Sequence, residues 1–318
     1  MTKRIAWLVL TIGLAQCAHA QDVQKLVTIT TPVRIRVVSV CGPSGLAAGL
    51  ARNGSVYVWR LPSGELVSNR KAENGVRALA CSPDGKWLAI GKSDGTVAVT
   101  DVPGKMTRTL TISTHGIDDL AFSPDGSLLA VNVSGAPAQL WNSTQGTLVA
   151  TLKTDFSGST SMDFSPDSAL FATADSDTSV RIYDRNGRLR ARYSGLLLEP
   201  FAISFMPDGK QIAVGGADCT LTILDVSDAH VVRQLPKQSD PIFAIAALPD
   251  GTSVLSVHID AARLEDYTAL LWNMRTGEKQ ELDIDVAHMV GGGTTANRKE
   301  VLFTADSDSA LSAWTIPD

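Results

Sequence analysis

The chain has 318 residues, of which 44% are hydrophobic and 19% are charged, so it can bury a large core and is too apolar for a disordered protein. Its 26 glycines and 14 prolines interrupt the sequence too often for a bundle of long helices. The formal net charge of −5 argues against a nucleic-acid-binding protein, because such proteins usually present a basic surface.

The first twenty residues have the three-part layout of a secretory signal peptide. A basic start at residues 3 and 4 precedes an apolar run over residues 5–14, and Ala18-His19-Ala20 offers small residues for cleavage. We expect cleavage after Ala20 and a secreted or periplasmic mature chain, residues 21–318. Lipid attachment at Cys17 is the second possibility. The run is shorter than the roughly 20 apolar residues that span a bilayer, and no later segment is predicted to cross one.

A turn motif recurs through the rest of the chain at a nearly constant interval. The motif is Ser-Pro-Asp-Gly or a close variant, and its prolines follow one another by 41 or 42 residues: Pro83, Pro124, Pro166, Pro207 and Pro249. Proline sets φ for such a turn, aspartate bonds its own backbone, and glycine accepts a positive φ. The motif therefore predicts one tight hairpin in each repeat.

A second marker recurs in phase with these turns. Seven pairs combine a first, mostly large or apolar residue with a polar second one: Trp59-Arg60, Thr100-Asp101, Trp141-Asn142, Tyr183-Asp184, Leu224-Asp225, Trp272-Asn273 and Trp314-Thr315. Short strand-like runs lie between the markers, as at residues 76–81, 87–90, 96–99 and 107–112. Each repeat therefore predicts four short strands, and seven such units packed around an axis cover one another's faces.

These repeats resemble the WD repeat, the blade of the G-beta-type propellers. Residues 76–89 are similar to the family's inner-strand signature, and Asp94-Gly95 and Thr100-Asp101 follow at the family's spacing. The resemblance implies an exported, bacterial-type member with an all-β fold: a seven-bladed β-propeller of four-stranded antiparallel blades in one domain, residues 21–318. The family's Trp-Asp dipeptide is nowhere intact and no Gly-His precedes an inner strand, so we expect its internal hydrogen-bond tetrad to be incomplete.

The last repeat lacks an outer strand, because the sequence ends at Asp318, soon after Trp314. The segment Gln24–Thr30 alternates apolar and polar residues and belongs to no other repeat. We expect this segment to complete the last blade and close the ring, which removes an exposed strand edge.

Cysteines and histidines give no sign of a reactive centre. Cys41 and Cys81 lie in apolar runs and are predicted to be small buried residues, and Cys219 follows a turn residue and is expected to carry an exposed free thiol. Four histidines fall in different repeats and are predicted at surface or loop positions: His115, His230, His258 and His288. No phosphate-binding loop, zinc motif or nucleophile elbow is present, so we expect no catalytic residues, metal or cofactor.

A partner site is predicted where the repeats depart from their period. The sixth unit is longer than the others near His258 to Tyr267, and Leu196, Leu197 and Leu198 lead into the neighbouring fifth unit. The family resemblance places both loops on one face of the disc. We expect an apolar patch there, although the leucines could instead pack beneath the insertion.

Four further residues begin inner strands in comparable places and are predicted to line the mouth of the channel. They are Arg77, Asp118, Phe201 and Phe243. Together with the leucines and Tyr267 they form the predicted partner-binding set.

The function predicted from the sequence is a non-catalytic propeller scaffold that binds a protein or peptide on the loop face of the disc, in an exported compartment and without nucleic acid. The alternative is an exported propeller enzyme, similar to lactonases and other hydrolases or to quinoproteins, acting at the central channel. A TolB-like periplasmic module is a third possibility, since its turns are similar. A fold alone does not decide among these functions.

Overall fold

The computed structural model describes residues 24–71, 75–154, 158–260, 267–282, 288–294, 300–305 and 310–315. In these ranges the regular secondary structure consists of short β-strands joined by turns, with one short 3-10 turn at Gly42–Ser44. No helix in this part of the chain is long or apolar enough to cross a membrane.

Six sheets are each built from four consecutive strands, and we number them blades 1 to 6 in chain order. Blade 1 contains β2 (Ile35–Val40), β3 (Leu46–Ala51), β4 (Val56–Arg60) and β5 (Glu65–Arg70). Blade 2 contains β6 (Val76–Cys81), β7 (Trp87–Lys92), β8 (Thr96–Asp101) and β9 (Thr107–Thr111). Blade 3 contains β10 (Ile117–Phe122), β11 (Leu128–Val133), β12 (Gln139–Asn142) and β13 (Thr147–Thr151).

The second half of the chain repeats this arrangement. Blade 4 contains β14 (Ser159–Phe164), β15 (Leu170–Asp175), β16 (Ser179–Asp184) and β17 (Leu189–Tyr193). Blade 5 contains β18 (Pro200–Phe205), β19 (Gln211–Gly216), β20 (Thr222–Asp225) and β21 (Val231–Gln234). Blade 6 contains β22 (Ile242–Ala247), β23 (Ser253–Ile259), β24 (Tyr267–Asn273) and β25 (Lys279–Leu282).

One more sheet, which we call the closing sheet, joins the two ends of the described chain. It contains β26 (His288–Thr294), β27 (Glu300–Ala305) and β28 (Ala310–Thr315), with β1 (Gln24–Thr30) paired antiparallel to β28. The all-β fold and the four-stranded antiparallel blades of the prediction are therefore present. Of the seven blades predicted from the sequence, six form from contiguous chain, and the closing sheet is a composite because β28 has no strand after it in the described chain.

The first strands of the sheets form a closed ring. Each first strand contacts the first strand of the next sheet, from β2 through β6, β10, β14, β18 and β22 to β26, and β26 contacts β2. Because successive strands alternate in direction, the connections into first strands and between second and third strands lie on one side, the loop face. The remaining turns lie on the other side, which we call the turn face.

The Ser-Pro-Asp-Gly turns are held by side-chain hydrogen bonds on the turn face. In blade 2 the Ser82 hydroxyl donates to Asp84 at 2.6 Å and accepts from the backbone N–H of Trp87 at 2.9 Å. Gly85 has a φ of +68°, which a residue with a Cβ rarely adopts. The recurrence of the motif thus follows from one turn geometry repeated between first and second strands.

Apolar side chains from neighbouring blades share common clusters between the sheets. Leu50 and Val58 of blade 1 are buried in one cluster with Leu79 and Leu88 of blade 2. Burying a side chain of this size contributes about 1.5–3 kcal/mol. Short strands with small buried surfaces are therefore stable only as neighbours in the ring.

Cys41 and Cys81 are buried as predicted, but the prediction gave them no disulfide, and the predicted exposure of Cys219 is wrong. Cys41 and Cys81 form a disulfide between blades 1 and 2, with their Cα atoms 5.0 Å apart. They stand one repeat apart at the turn-face ends of adjacent first strands, and the ring brings such positions side by side. Cys219 is buried in a turn with a φ of +63°, so its thiol is not the exposed group that was expected.

Candidate functional site

A ring of bulged residues marks the loop-face end of the first strands. In blades 1 to 6 the second residue of the first strand has no partner in the pairing with the second strand. These residues are Arg36, Arg77, Asp118, Thr160, Phe201 and Phe243. Bulges turn a side chain out of the regular alternation and are common beside functional sites.

Each bulged residue for which a contact is described reaches the next blade. Arg36 donates to the backbone carbonyl of Val76, and Thr160 donates to the carbonyl of Pro200. Arg77 and Asp118 form an ion pair at 2.5 Å, with both side chains partly exposed. The charged bulges thus lie on blades 1 to 3. The sequence prediction missed Thr160, although it stands six residues before Pro166 as Arg77 stands before Pro83, and it missed Arg36, which stands seven residues before Pro43.

The apolar bulges lie on blades 5 and 6. The rings of Phe201 and Phe243 stack with centroids 4.8 Å apart and an interplanar angle of 26°, and Phe243 is 43% exposed. Leu197 and Leu198, in the loop that leads into β18, are 83% and 51% exposed. We call these four side chains the apolar patch.

The remaining predicted residues have other environments. Leu196 is partly buried and packs against the core shared by blades 4 and 5, so burial is the outcome for this leucine alone. Tyr267 is half-buried against the core of blade 6. The insertion at residues 261–266 lies outside the described residues.

Two carboxylates on the first strands of blades 3 and 4 have raised pKa values. Desolvation raises the pKa of the half-buried Asp163 to about 7, although the backbone N–H groups of Phe205 and Phe164 donate to it and oppose the shift. Desolvation by the surrounding protein raises the pKa of Asp119 to about 6 even though its side chain is exposed, opposed by the N–H of Leu120 and assisted by the neighbouring charge of Asp118. Both carboxylates therefore act as acceptors for the backbone of the first strands.

A buried hydrogen-bond chain crosses blade 6. The Trp272 indole N–H donates to the Ser256 hydroxyl at 2.8 Å, Ser256 meets His258 Nε2 at 2.8 Å, and His258 Nδ1 lies 3.1 Å from the carbonyl of Asp240. His258 is buried, so its predicted surface position is wrong. This chain of hydrogen bonds orients the Trp272 indole in the core, and its side chains are buried and not presented on the loop face.

Blade 4 contains an ionic network in a comparable place. Arg181 is almost fully buried and forms ion pairs with Asp175 at 2.5 Å and with Asp177 at 2.6 Å. Ser159 also donates to Asp175 at 2.8 Å. The acidic segment at Asp175 and Asp177 therefore has a structural role in this turn.

An exposed acidic cluster lies on the turn between β20 and β21. Carboxylate oxygens of Asp225 and Asp228 and a ring nitrogen of His230 lie within 4.8 Å of one another. Asp228 accepts a hydrogen bond from the backbone N–H of His230, and Asp225 accepts one from Ser227. These bonds are those of ordinary aspartate turns.

Comparison with known families supports the repeat assignment. The sequence model described as "Anaphase-promoting complex subunit 4 WD40 domain" matches residues 38–117. The one described as "WD domain, G-beta repeat" matches residues 104–135, 146–184 and 200–225. The chain belongs to the WD-repeat β-propeller family.

Curated relatives of this WD-repeat chain include components of larger assemblies. Telomerase protein component 1 of Rattus norvegicus is 25% identical over 272 residues, which is 85% of this chain and 10% of the relative. THO complex subunit 3 of Arabidopsis thaliana is 29% identical over 149 residues, which is 46% of this chain and 44% of the relative. The chain thus spans less than half the length of each.

The predicted secreted or periplasmic location is contradicted by these relatives. They are named as parts of eukaryotic telomerase and THO assemblies and not as exported proteins. The predicted signal peptide, with Cys17 and Ala20, lies outside the described residues.

Proposed function

We propose that this WD-repeat propeller is a non-catalytic scaffold that binds a protein or peptide partner through the apolar patch on its loop face. The observation that carries the proposal is the presence of three exposed apolar side chains, Leu197, Leu198 and Phe243, on two neighbouring blades, with the half-buried Phe201 stacked on Phe243. Several exposed apolar side chains on adjacent blades favour a contact surface over isolated surface hydrophobics. Family membership and the complex components among the relatives support the same function.

Stacked aromatic rings suit the centre of such a contact. The Phe201–Phe243 pair is held in place by the bulges of β18 and β22, so little side-chain entropy is lost when a partner covers it. The Arg77–Asp118 pair on blades 2 and 3 supplies a polar rim across the channel mouth. Aromatic anchors with a polar rim are typical of protein interfaces.

Asp163 offers little to the alternative enzyme function. It accepts backbone N–H groups from Phe164 and Phe205. A general acid or base needs a free oxygen within reach of a substrate, and Asp163 has backbone donors on both of its oxygens.

The test is a comparison of Leu197→Asp with Leu148→Asp in crosslinking and pull-down from the native cell, followed by reconstitution with the partner that is recovered. Leu148 is 49% exposed on the outer edge of blade 3 and is the matched control. We expect the Leu197 variant to lose the partner and the Leu148 variant to retain it, with both melting like the wild type.

Equal recovery of the partner by both variants would refute the role of the patch. A large fall in melting temperature for Leu197→Asp would show that this leucine supports the fold and does not serve binding. Loss of the partner in the Leu148 variant would indicate that the partner contacts the outer edge of the ring.

A further inference from the structure

A groove of about 920 Å³ opens on the turn face between blades 2 and 3, away from the apolar patch. Its apolar lining includes Trp87, Val99, Met106 and Phe122. A volume of this size is typical of sites that hold a small molecule or a few residues of a peptide.

Comparison with blades 4 and 5 shows that the aromatic side chain at this junction is less covered. Phe122 ends β10 and is half-buried, whereas Phe164 and Phe205, which end the first strands of blades 4 and 5, are each 5% exposed. Met106, at the start of the outer segment of blade 2, is 57% exposed. The two equivalent phenylalanines are therefore buried, and the one beside this groove is accessible.

The walls of the groove are fixed by contacts between the two blades. Arg108 of β9 donates to the backbone carbonyls of Thr144 at 2.7 Å and Ser143 at 2.6 Å in blade 3. A Cβ on Gly146 would stand 2.8 Å from the Leu110 side chain, so the outer edges of the blades are in close contact. The groove is therefore preformed, which lowers the entropy cost of binding.

Two carboxylates stand on the rim at equivalent positions of consecutive turns. Asp84 accepts from the Ser82 hydroxyl at 2.6 Å and from the Lys86 N–H at 3.0 Å, and Asp125 accepts in the same way from Ser123 and Ser127. Burial acts to raise the pKa of each, but these hydrogen bonds outweigh it and lower the pKa of both. Both groups are therefore anionic at neutral pH.

The second oxygen of each carboxylate pairs with a cation at the surface. Lys86 lies 3.3 Å from Asp84, and Arg185 lies 3.4 Å from Asp125 and also donates to the Ser127 hydroxyl, with all four charged side chains well exposed. Exposed ion pairs of this kind contribute little to stability, so a cation on a ligand can replace them at little cost. The guanidinium of Arg108 is directed to the backbone carbonyls of blade 3.

We propose that this groove is a second binding site, which takes a peptide segment with a bulky apolar side chain next to Lys or Arg. The apolar side chain would cover Trp87, Met106 and Phe122, and the basic group would meet Asp84 or Asp125. The site lies on the face opposite the apolar patch, so a propeller could hold two partners at once.

The experiment displays a library of random linear peptides and selects for binding to the full wild-type chain, with counter-selection on Met106→Lys. Selected peptides are then measured by fluorescence anisotropy against Met106→Lys and against Leu66→Lys. Leu66 is 51% exposed on the outer edge of blade 1 and is the matched control for a new surface charge.

We expect the selected peptides to pair an aromatic or aliphatic residue with Lys or Arg. Met106→Lys should weaken their binding about tenfold or more, while Leu66→Lys and Leu197→Asp leave it unchanged. The double variant Asp84→Asn/Asp125→Asn keeps the oxygens that accept the turn hydrogen bonds, and it should weaken binding and flatten its dependence on salt.

Recovery of no peptides, or of peptides that bind Met106→Lys as well as wild type, would overturn the proposal. Apolar peptides without a basic residue, or binding unchanged in the double Asn variant, would overturn the charge assignment. If Met106→Lys has a lower melting temperature than the wild type, the binding measured for the double Asn variant alone tests the proposal. Loss of binding in Leu197→Asp would show that the peptides use the loop face instead.

Discussion

At the scale of single residues, Asp163 shows how a carboxylate on one first strand can accept hydrogen bonds from the backbone of two strands. Asp163 accepts the N–H of Phe164 in its own strand and, at 2.7 Å, the N–H of Phe205 in the next blade. Ser39 and Ser204 do the same from the equivalent position, toward Cys81 and Ala247. A polar side chain at this position thus bonds one first strand to the next.

Asp163 should make the stability of the protein depend on pH. Its pKa in the folded protein is about 7, against about 3.9 for an unfolded aspartate, so the folded chain holds a proton that the unfolded chain releases. Its contribution to stability is fully present below about pH 4 and is lost as the pH rises through 7. The loss is at most about 4 kcal/mol.

Urea unfolding between pH 5 and pH 8 measures this effect. We expect Asp163→Asn to be less stable at pH 5, because its amide cannot accept two N–H groups on separate oxygens, and to show a flatter pH dependence than the wild type. Asp208→Asn, in an exposed turn, is the control and should keep the wild-type slope. An unchanged slope in Asp163→Asn would contradict the assignment.

At the scale of elements, arginines on outer strands join consecutive blades. Arg70 donates to the carbonyls of Asp101 and Val102 in blade 2, and Arg233 donates to the carbonyl of Met274 in blade 6. Gly104 and Gly277 lie against these arginines and have φ of +78° and +81°, which favours glycine at the turn between third and fourth strands. The blades are therefore joined at their outer edges as well as along the inner ring.

The Cys41–Cys81 disulfide joins blades 1 and 2 covalently. It closes a loop of 40 residues between blades 1 and 2, and cross-links of this span typically contribute about 2–4 kcal/mol by restricting the unfolded chain. We expect the free energy of unfolding of Cys41→Ala/Cys81→Ala to be lower than that of the oxidised wild type by this amount, so that the variant unfolds at a lower urea concentration.

Urea melts with and without dithiothreitol provide the check. Reduced wild type should approach the double variant, and Cys219→Ala, which removes the free thiol, should respond to reductant like the wild type. Equal stability of oxidised and reduced wild type would show that the inter-blade packing alone holds the first two blades.

At the scale of the whole molecule, the repeat period predicted the fold because one turn geometry recurs with one strand length. The sequence carries a signal for the disulfide: Cys41 and Cys81 precede Pro43 and Pro83 by two residues each, and equivalent positions of consecutive repeats adjoin in a ring. Only the burial of these cysteines was predicted. No sequence pattern predicts the groove, because its presence depends on how far neighbouring residues cover the side chains between blades 2 and 3.

Local departures from the repeat were also beyond a single sequence. Ser168 stands where other turns have glycine and adopts a φ of +60°. Its hydroxyl accepts the backbone N–H of Asp125 in the preceding blade at 3.0 Å, which offsets the strain. Among the leucines, the pattern predicted a patch, but only the packing of Leu196 against blades 4 and 5 distinguishes it from its exposed neighbours.

The closing sheet makes the stability of the ring depend on its first strand. Val27 and Ile29 of β1 pack against the core of blade 1, and the Gly64 turn of that blade lies close to both. Thr28 and Thr30 alternate with them and are exposed. β1 therefore completes one sheet and covers its neighbour.

Val27→Ser/Ile29→Ser should weaken both contacts at once. Removing two apolar side chains of this size costs at least about 3 kcal/mol, which lowers the melting temperature of a domain somewhat smaller than this one by roughly 6–12 °C. Thr28→Ser/Thr30→Ser is the matched control and should melt like the wild type.

Deleting residues 24–30 should lower the melting temperature further and promote aggregation, because the edge of β28 loses its partner. Restoration of the melt by a synthetic peptide of residues 24–30 would attribute the loss to this pairing, whereas equal melting of the two double variants would mean that the ring holds without the N-terminal strand.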